Sequence, residues 1–138
     1  MPNAEINILA VFAAAIINVI IGFVWYSPAV FGHQWLALIG KSEKDLDEMK
    51  KSASKAYTLS FLGSLIMSYV LSLFIYYTQA TNLFEGLKTG FWLWLGFIAV
   101  VFFNSYLFAK KPAKLCLIDG GYYLVSLLSM SVFLAVVS

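Results

Sequence analysis

The hydrophobic residues of this chain fall into four long runs separated by short polar segments. The runs cover 6–26, 57–79, 87–109 and 115–137. Each is long enough to supply the roughly 20 helical residues that cross about 30 Å of hydrocarbon. Pro28 ends the first helix, and Pro112 ends the third, because proline cannot continue a helix. The pattern predicts an all-α membrane protein, with residues 1–138 forming one domain: an antiparallel bundle of four transmembrane helices.

The connection between the first two helices, residues 27–56, has two parts. Residues 27–40 are aromatic and apolar but too short to span a bilayer, which predicts an interfacial segment. From Ser42 the pattern is that of a short amphipathic helix, with acidic residues early and lysines late, as the helix dipole favours. We interpret this helix as a lead-in to the second crossing, and docking of a partner is the alternative. Its apolar stripe consists of Leu46, Met49 and Ala53.

The lysines predict the orientation. Eight of the nine lysines lie in the first and third connections, and only Lys88 lies elsewhere. With four crossings these two connections share one side, which the positive-inside rule assigns to the cytoplasm. We therefore predict a multi-pass protein of the cell membrane with both termini outside. Trp25 and Tyr26 would mark the inner interface, and the outer interface would carry Tyr76, Tyr77, Trp92 and Trp94.

The composition supports the same class of protein. Hydrophobic residues make up 62% and charged residues 12%, whereas soluble domains carry about 45–50% and about 25%. Membrane lipids are therefore the expected surroundings. The net charge is only +2 and arginine is absent, so nucleic acid is not an expected partner. The N-terminal apolar run lacks a basic start and is longer than the core of a secretory signal, so we interpret it as a retained helix.

Small and polar residues recur every four positions in the first two crossings. Such stripes permit close approach of helices and hydrogen bonds between them. We predict that the two stripes face each other and that Asn18 bonds Ser64 or Ser68; a hydrophilic pathway is the alternative. Gly86 and Gly90 form a GxxxG motif, which indicates a helix contact in the third crossing. The two stripes are Ala10, Ala14, Asn18 and Gly22, and Ser60, Ser64, Ser68 and Ser72.

A candidate polar cluster lies near the cytoplasmic end of the bundle. Asn104 and Asp119 both lie about 7 Å below the interface when residues are counted from the helix ends. An ionisable residue inside a crossing is a functional candidate, because burial of its charge is costly. Asp119 could bond Asn104, Tyr26 or the backbone of residues 27–32. A ligand or proton site, and an interface with another subunit, are the alternatives; the full candidate cluster is Tyr26, His33, Asn104, Asp119 and Tyr122.

The sequence offers little support for an enzyme. It contains no phosphate-binding glycine loop, no HExxH and no nucleophile elbow. His33, Cys116 and Asp119 lack the paired spacing of metal ligands, so we expect neither a metal nor another cofactor.

One family resemblance covers nearly the whole chain. The string Trp25, Tyr26, Ser27, Pro28, with Phe31, Gly32 and Trp35 after it, resembles a family of small membrane proteins known as domain of unknown function 1761. Gly86, Gly90, the run 94–97, Asn104 and the pair Gly121–Tyr122 are also similar. The resemblance implies a four-helix integral membrane protein, and it implies no activity.

Together these features favour a small non-enzymatic membrane protein that acts as a homo-oligomer or as an accessory subunit of a larger membrane complex. The first alternative is a small transporter or channel, itself oligomeric, with a polar vestibule around Asn104 and Asp119. The second alternative is binding of a lipid- or quinone-like ligand between the aromatic segment and the bundle.

Overall fold

The computed structural model describes residues 4–40, 43–51 and 53–137. Four of its helical segments are long and apolar enough to cross a membrane, so the predicted all-α membrane fold is confirmed. The third of these segments is continuous but contains a π-helical turn, Leu95–Ala99, between two α-helices. The α-helices are α1 Ile8–Trp25, α2 Gly32–Leu38, α3 Glu43–Lys51, α4 Ala53–Tyr77, α5 Leu83–Trp94, α6 Val100–Phe108 and α7 Ala113–Val137.

The helix ends differ from the predicted ones by a few residues, and side-chain caps explain one difference. α5 begins at Leu83, four residues earlier than predicted. The Glu85 amide donates to the Asn82 side chain at 2.9 Å, and the Asn82 amide group donates to the Glu85 carboxylate at 2.6 Å. Each residue thus satisfies a polar group of the other, as in a capping box. The cap predicted at Ser42 falls outside the described residues.

Helix α7 lies at the centre of the bundle and packs against α1, α4 and α5. We call the end where α1 leads into α2 and α6 leads into α7 the lysine-rich end, and the end where α4 leads into α5 the opposite end. The core occupies the opposite half. Its buried side chains include Ala10, Ala14, Leu71, Ile75, Leu127, Met130 and Leu134.

The GxxxG motif forms the close contact between α5 and α7. A Cβ added at Gly86 would lie 2.9 Å from the Ser131 carbonyl oxygen, and one added at Gly90 would lie 2.9 Å from the Leu127 carbonyl oxygen. Both distances are to backbone atoms, which cannot move away as a flexible side chain can. The two helices therefore approach this closely because both positions are glycine.

The π-helical turn changes which face of the third crossing meets α7. An α-helix rotates about 100° per residue, and a π turn holds one extra residue. The residues after the turn are therefore rotated about the helix axis by about 100° relative to a regular α-helix of the same sequence. The residues on the α7 side are spaced by four. The exposed side carries Phe97 and Asn104, and the α7 side carries Gly90, Trp94, Ile98, Phe102 and Tyr106.

Candidate functional site

Asp119 lies in the second turn of α7 and accepts hydrogen bonds from two tyrosines of other segments. The Tyr26 hydroxyl donates to Oδ1 at 2.6 Å, and the Tyr106 hydroxyl donates to Oδ2 at 2.5 Å. Tyr26 follows α1 and Tyr106 belongs to α6, so the carboxyl group joins three of the four crossings. Burial, followed by the hydrogen bond to Asp119, raises the pKa of Tyr26 well above its usual range. Tyr26 therefore remains a protonated donor at neutral pH.

Two tryptophans bind the backbone on either side of Asp119. The Trp25 indole donates to the Ile118 carbonyl at 2.9 Å, and the Trp94 indole donates to the Gly120 carbonyl at 2.8 Å. The prediction that Trp94 marks the outer interface is therefore wrong. Trp94 lies eleven residues beyond the start of α5, about 17 Å along the helix axis. Its polar indole nitrogen can lie at this depth because it has a carbonyl partner inside the bundle. We call the set Trp25, Tyr26, Trp94, Tyr106 and Asp119 the aromatic clamp.

The segment after α1 folds into a compact turn that holds Tyr26 in the clamp. The Gly32 amide donates to the Ser27 carbonyl at 2.8 Å, and the Phe31 amide donates to the Trp25 carbonyl at 3.1 Å. A Cβ at Gly32 would lie 2.6 Å from the Tyr26 carbonyl oxygen, so only glycine fits there. The Trp35 ring meets the Tyr26 ring edge-on, with centroids 5.6 Å apart. The interfacial motif is thus a support for the Tyr26 phenol, and Pro28 is exposed at its tip.

Asn18 is the centre of a second polar network, nearer the middle of the bundle. Its amide group donates to the Ser64 hydroxyl at 2.6 Å, the bond predicted from the two stripes. Its carbonyl oxygen accepts from the Tyr122 hydroxyl at 2.8 Å and from the Ser126 hydroxyl. Asn18 is only 5% exposed, so these bonds satisfy a polar group that would be costly to leave alone. The network joins α1, α4 and α7.

The two stripes meet in the opposite half of the bundle and separate towards the lysine-rich end. Ser68 and Ser72 are buried, and the Ser68 hydroxyl donates to the Val11 carbonyl at 2.7 Å. Ser60, one turn closer to the lysine-rich end than Ser64, is exposed. Gly22 has Tyr122 of α7 as its neighbour, since an added Cβ would lie 3.2 Å from the Tyr122 hydroxyl oxygen.

This separation opens a groove between α1 and α4, with a cavity of about 810 Å³. The Asn18 network lies at its inner end and Tyr26 and Tyr57 lie at its mouth. We call it the α1–α4 groove. Its lining residues are Asn18, Val19, Gly22, Phe23, Tyr26, Tyr57, Ser60, Phe61, Gly63, Ser64, Met67, Tyr122 and Tyr123.

Of the partners predicted for Asp119, the structure shows Tyr26 and not Asn104. Asn104 is exposed, and the phenols of Tyr26 and Tyr106 occupy both carboxylate oxygens. Counting residues from the helix ends locates the depth of Asn104 but not its face, and the π-helical turn rotates that face away from α7. Neither Asn104 nor Asp119 lines the α1–α4 groove.

His33 does not join the candidate cluster, because it is exposed on α2. Tyr122 joins the Asn18 network, and its ring packs on the Tyr26 ring with centroids 5.5 Å apart. Within the described part of the chain, no three His, Cys, Asp or Glu side chains are placed to hold a metal ion.

Ser126 and Tyr106 were not predicted from the sequence as members of these networks. Ser126 was predictable, since Asp119, Tyr122 and Ser126 follow one another at helical spacing on one face of α7. Tyr106 was not, because no sequence pattern indicates the π-helical turn that brings it to Asp119.

The family model described as "Protein of unknown function (DUF1761)" matches residues 9–135. No curated protein and no solved structure matches this chain.

Proposed function

Because the chain belongs to the DUF1761 family, whose description names no activity, we propose a function from the geometry: a non-enzymatic subunit of a membrane assembly. The assembly is a homo-oligomer or a larger complex with other membrane proteins. We further propose that it lies in the cell membrane with the lysine-rich end in the cytoplasm and both termini outside, as the lysine distribution favours.

The observation that carries the proposal is the exposed half of the third crossing. No residue of Leu95–Ala99 or Val100–Phe108 is buried. This half exposes Gly96, Asn104 and Ser105 together with large apolar side chains such as Phe97, which is 72% exposed. Small residues allow close helix approach, and an amide in hydrocarbon gains from a hydrogen-bonding partner. A second helix laid on this face would supply both.

Cysteine cross-linking tests the proposal. In a Cys116→Ser background, Phe97→Cys and Asn104→Cys should each form a disulfide with the same cysteine of a second copy in native membranes under mild oxidation when the assembly is a homo-oligomer. Ile16→Cys, an exposed position on α1, is the matched control and should remain uncross-linked. Mass spectrometry of the species released in mild detergent then identifies a second copy or a different protein as the partner.

A further variant tests the same face by steric block. A Cβ at Gly96 would meet nothing within 4 Å in the monomer, so Gly96→Leu should fold normally and lose the assembly. Monomers for both the wild type and Gly96→Leu, with no cross-link at Phe97→Cys or Asn104→Cys, would refute the subunit proposal.

A second candidate function is binding of a lipid- or quinone-like ligand. The α1–α4 groove favours it, because the groove combines hydroxyl and amide groups with aromatic walls and opens beside the aromatic segment.

A further inference from the structure

We propose that the α1–α4 groove binds an uncharged, ring-headed amphipathic molecule of the quinone class, with the ring held between the tyrosines and the tail directed into the lipid. This inference rests on the second candidate function and names its ligand. Three features of the groove favour this class: its lining chemistry, its depth and its aromatic walls.

The lining favours an uncharged head. Its polar groups are the hydroxyls of Ser60 and Ser64, the amide of Asn18 and the phenols of four tyrosines, and none of the thirteen lining residues is charged. An ionic head without a counter-charge would be costly at this depth. Carbonyl or hydroxyl oxygens on a neutral ring, by contrast, can exchange hydrogen bonds with hydroxyl and phenol groups.

The depth of the polar groups separates a ring head from a phospholipid head. The groove extends along α4 from Tyr57 to Met67, ten residues or about 15 Å. The hydroxyls of Ser60 and Ser64 lie along this length, and Ser64 accepts from Asn18 but still has its own O–H to donate. A charged phospholipid head stays at the membrane surface and would leave these hydroxyls facing an acyl chain. A neutral ring can enter far enough to meet them.

Aromatic side chains surround the mouth. The rings of Phe23 on α1 and Tyr57 on α4 lie 5.3 Å apart between centroids. The Tyr122 ring of α7 lies 5.5 Å from that of Tyr26 and 4.8 Å from that of Tyr123. Offset or edge-on packing against such rings stabilises a flat, polarisable head.

Gly63 leaves free space in the groove floor. A Cβ added there would meet nothing within 4 Å, so a larger side chain can fill the groove without disturbing the packing of the bundle. Ala56, also on α4, is exposed and lies outside the groove. Gly63→Leu and Ala56→Leu are therefore matched variants, since each places a leucine at an exposed position of the same helix.

The experiment uses an azido-benzoquinone carrying a short isoprenoid tail as a photoreactive probe of the purified full-length protein. Peptide mapping should find saturable labelling within 57–67 and at Tyr122 or Tyr123. A two-isoprene ubiquinone should compete for the label, and phosphatidylglycerol should not. Gly63→Leu should weaken the apparent affinity at least about tenfold, whereas Ala56→Leu should leave it unchanged.

The other outcomes overturn the inference in distinguishable ways. Competition by phosphatidylglycerol as strong as by the quinone would make the groove an acyl-chain site; the second candidate function would then stand in its lipid form without a quinone. Labelling that appears only when Gly96→Leu or dilution disperses the assembly would mean that a second copy occupies the groove. Unsaturable labelling, or equal affinity of the wild type and Gly63→Leu, would remove both the quinone and the groove as a ligand site.

Discussion

At the scale of single residues, the polar groups described above form two hydrogen-bond networks inside the bundle. Asp119 is held by Tyr26 and Tyr106, and Asn18 is held by Ser64, Tyr122 and Ser126. The bond between Asn18 and Ser64 was predictable, because spacing of four in two antiparallel helices determines both face and depth. The partners on α7 were harder to predict, since nothing in the pattern says which helix lies at the centre of the bundle.

Removal of the Tyr26 hydroxyl should loosen the aromatic clamp. Tyr26→Phe keeps the ring packing and should destabilise the protein by about 1–2 kcal/mol, the net value of a hydrogen bond to a polar or charged group. In an Asp119→Asn background the same substitution should cost measurably less, because the two residues share one interaction. Thermal unfolding of the four proteins in mild detergent measures this coupling; equal costs in both backgrounds would mean that the bond contributes nothing.

The contribution of Tyr26 to the stability of the protein should decrease at high pH. Its pKa is raised in the folded protein, so the unfolded chain ionises first as the pH rises. The stabilising contribution should therefore be constant at neutral pH and should decrease above about pH 10, the usual pKa of tyrosine. The difference in stability between the wild type and Tyr26→Phe, followed from pH 7 to pH 11, tests this. A difference that grows with pH would contradict the assignment.

Asn18→Ala should be among the more damaging substitutions in the bundle. It would leave Ser64, Tyr122 and Ser126 without their common partner, at a cost of about 0.6–2 kcal/mol for each bond. Ser60→Ala is the matched control from the same stripe, since Ser60 is exposed in the groove and should tolerate the change. Thermal unfolding of the two variants in mild detergent gives the comparison. Equal stabilities would show that the Asn18 network does not stabilise the bundle.

At the scale of elements, the four crossings follow from hydrophobic length and from the prolines, whereas the rotation of the third crossing does not. The GxxxG contact of Gly86 and Gly90 was predictable because small residues on one helix face indicate close approach of a neighbouring helix. Beyond it, the π-helical turn Leu95–Ala99 inserts one residue and carries Asn104 outward. A regular α-helix would place Asn104 on the same face as Gly90, whereas the turn places Tyr106 opposite Asp119.

Deletion of Gly96 should convert the π-helical turn into regular α-helix and leave the rest of the third crossing in its present rotation, because the turn accommodates one extra residue. Tyr106 would still face Asp119, and Asn104 would remain exposed. In the deletion variant, stability should therefore stay sensitive to Tyr106→Phe and insensitive to Asn104→Ala, as in the wild type. Thermal unfolding of these pairs measures both effects. Loss of the sensitivity to Tyr106→Phe would mean that the turn does not absorb an extra residue.

At the scale of the whole molecule, the proposed assembly face and the α1–α4 groove both lie in the half nearer the lysine-rich end. The buried core lies at the opposite end, around Met130 and Leu134. The aromatic clamp and the groove lie towards the lysine-rich end. We expect that end to face the cytoplasm, so a ligand or partner would be met at the inner leaflet.

Labelling of single cysteines in intact cells tests this arrangement most directly. In a Cys116→Ser background, Thr81→Cys lies between α4 and α5 and Ser54→Cys lies at the start of α4, and both positions are exposed. A membrane-impermeant maleimide should label Thr81→Cys in intact cells and Ser54→Cys only after permeabilisation. Labelling of Ser54→Cys in intact cells, or of both positions from one side, would contradict the orientation or the four crossings.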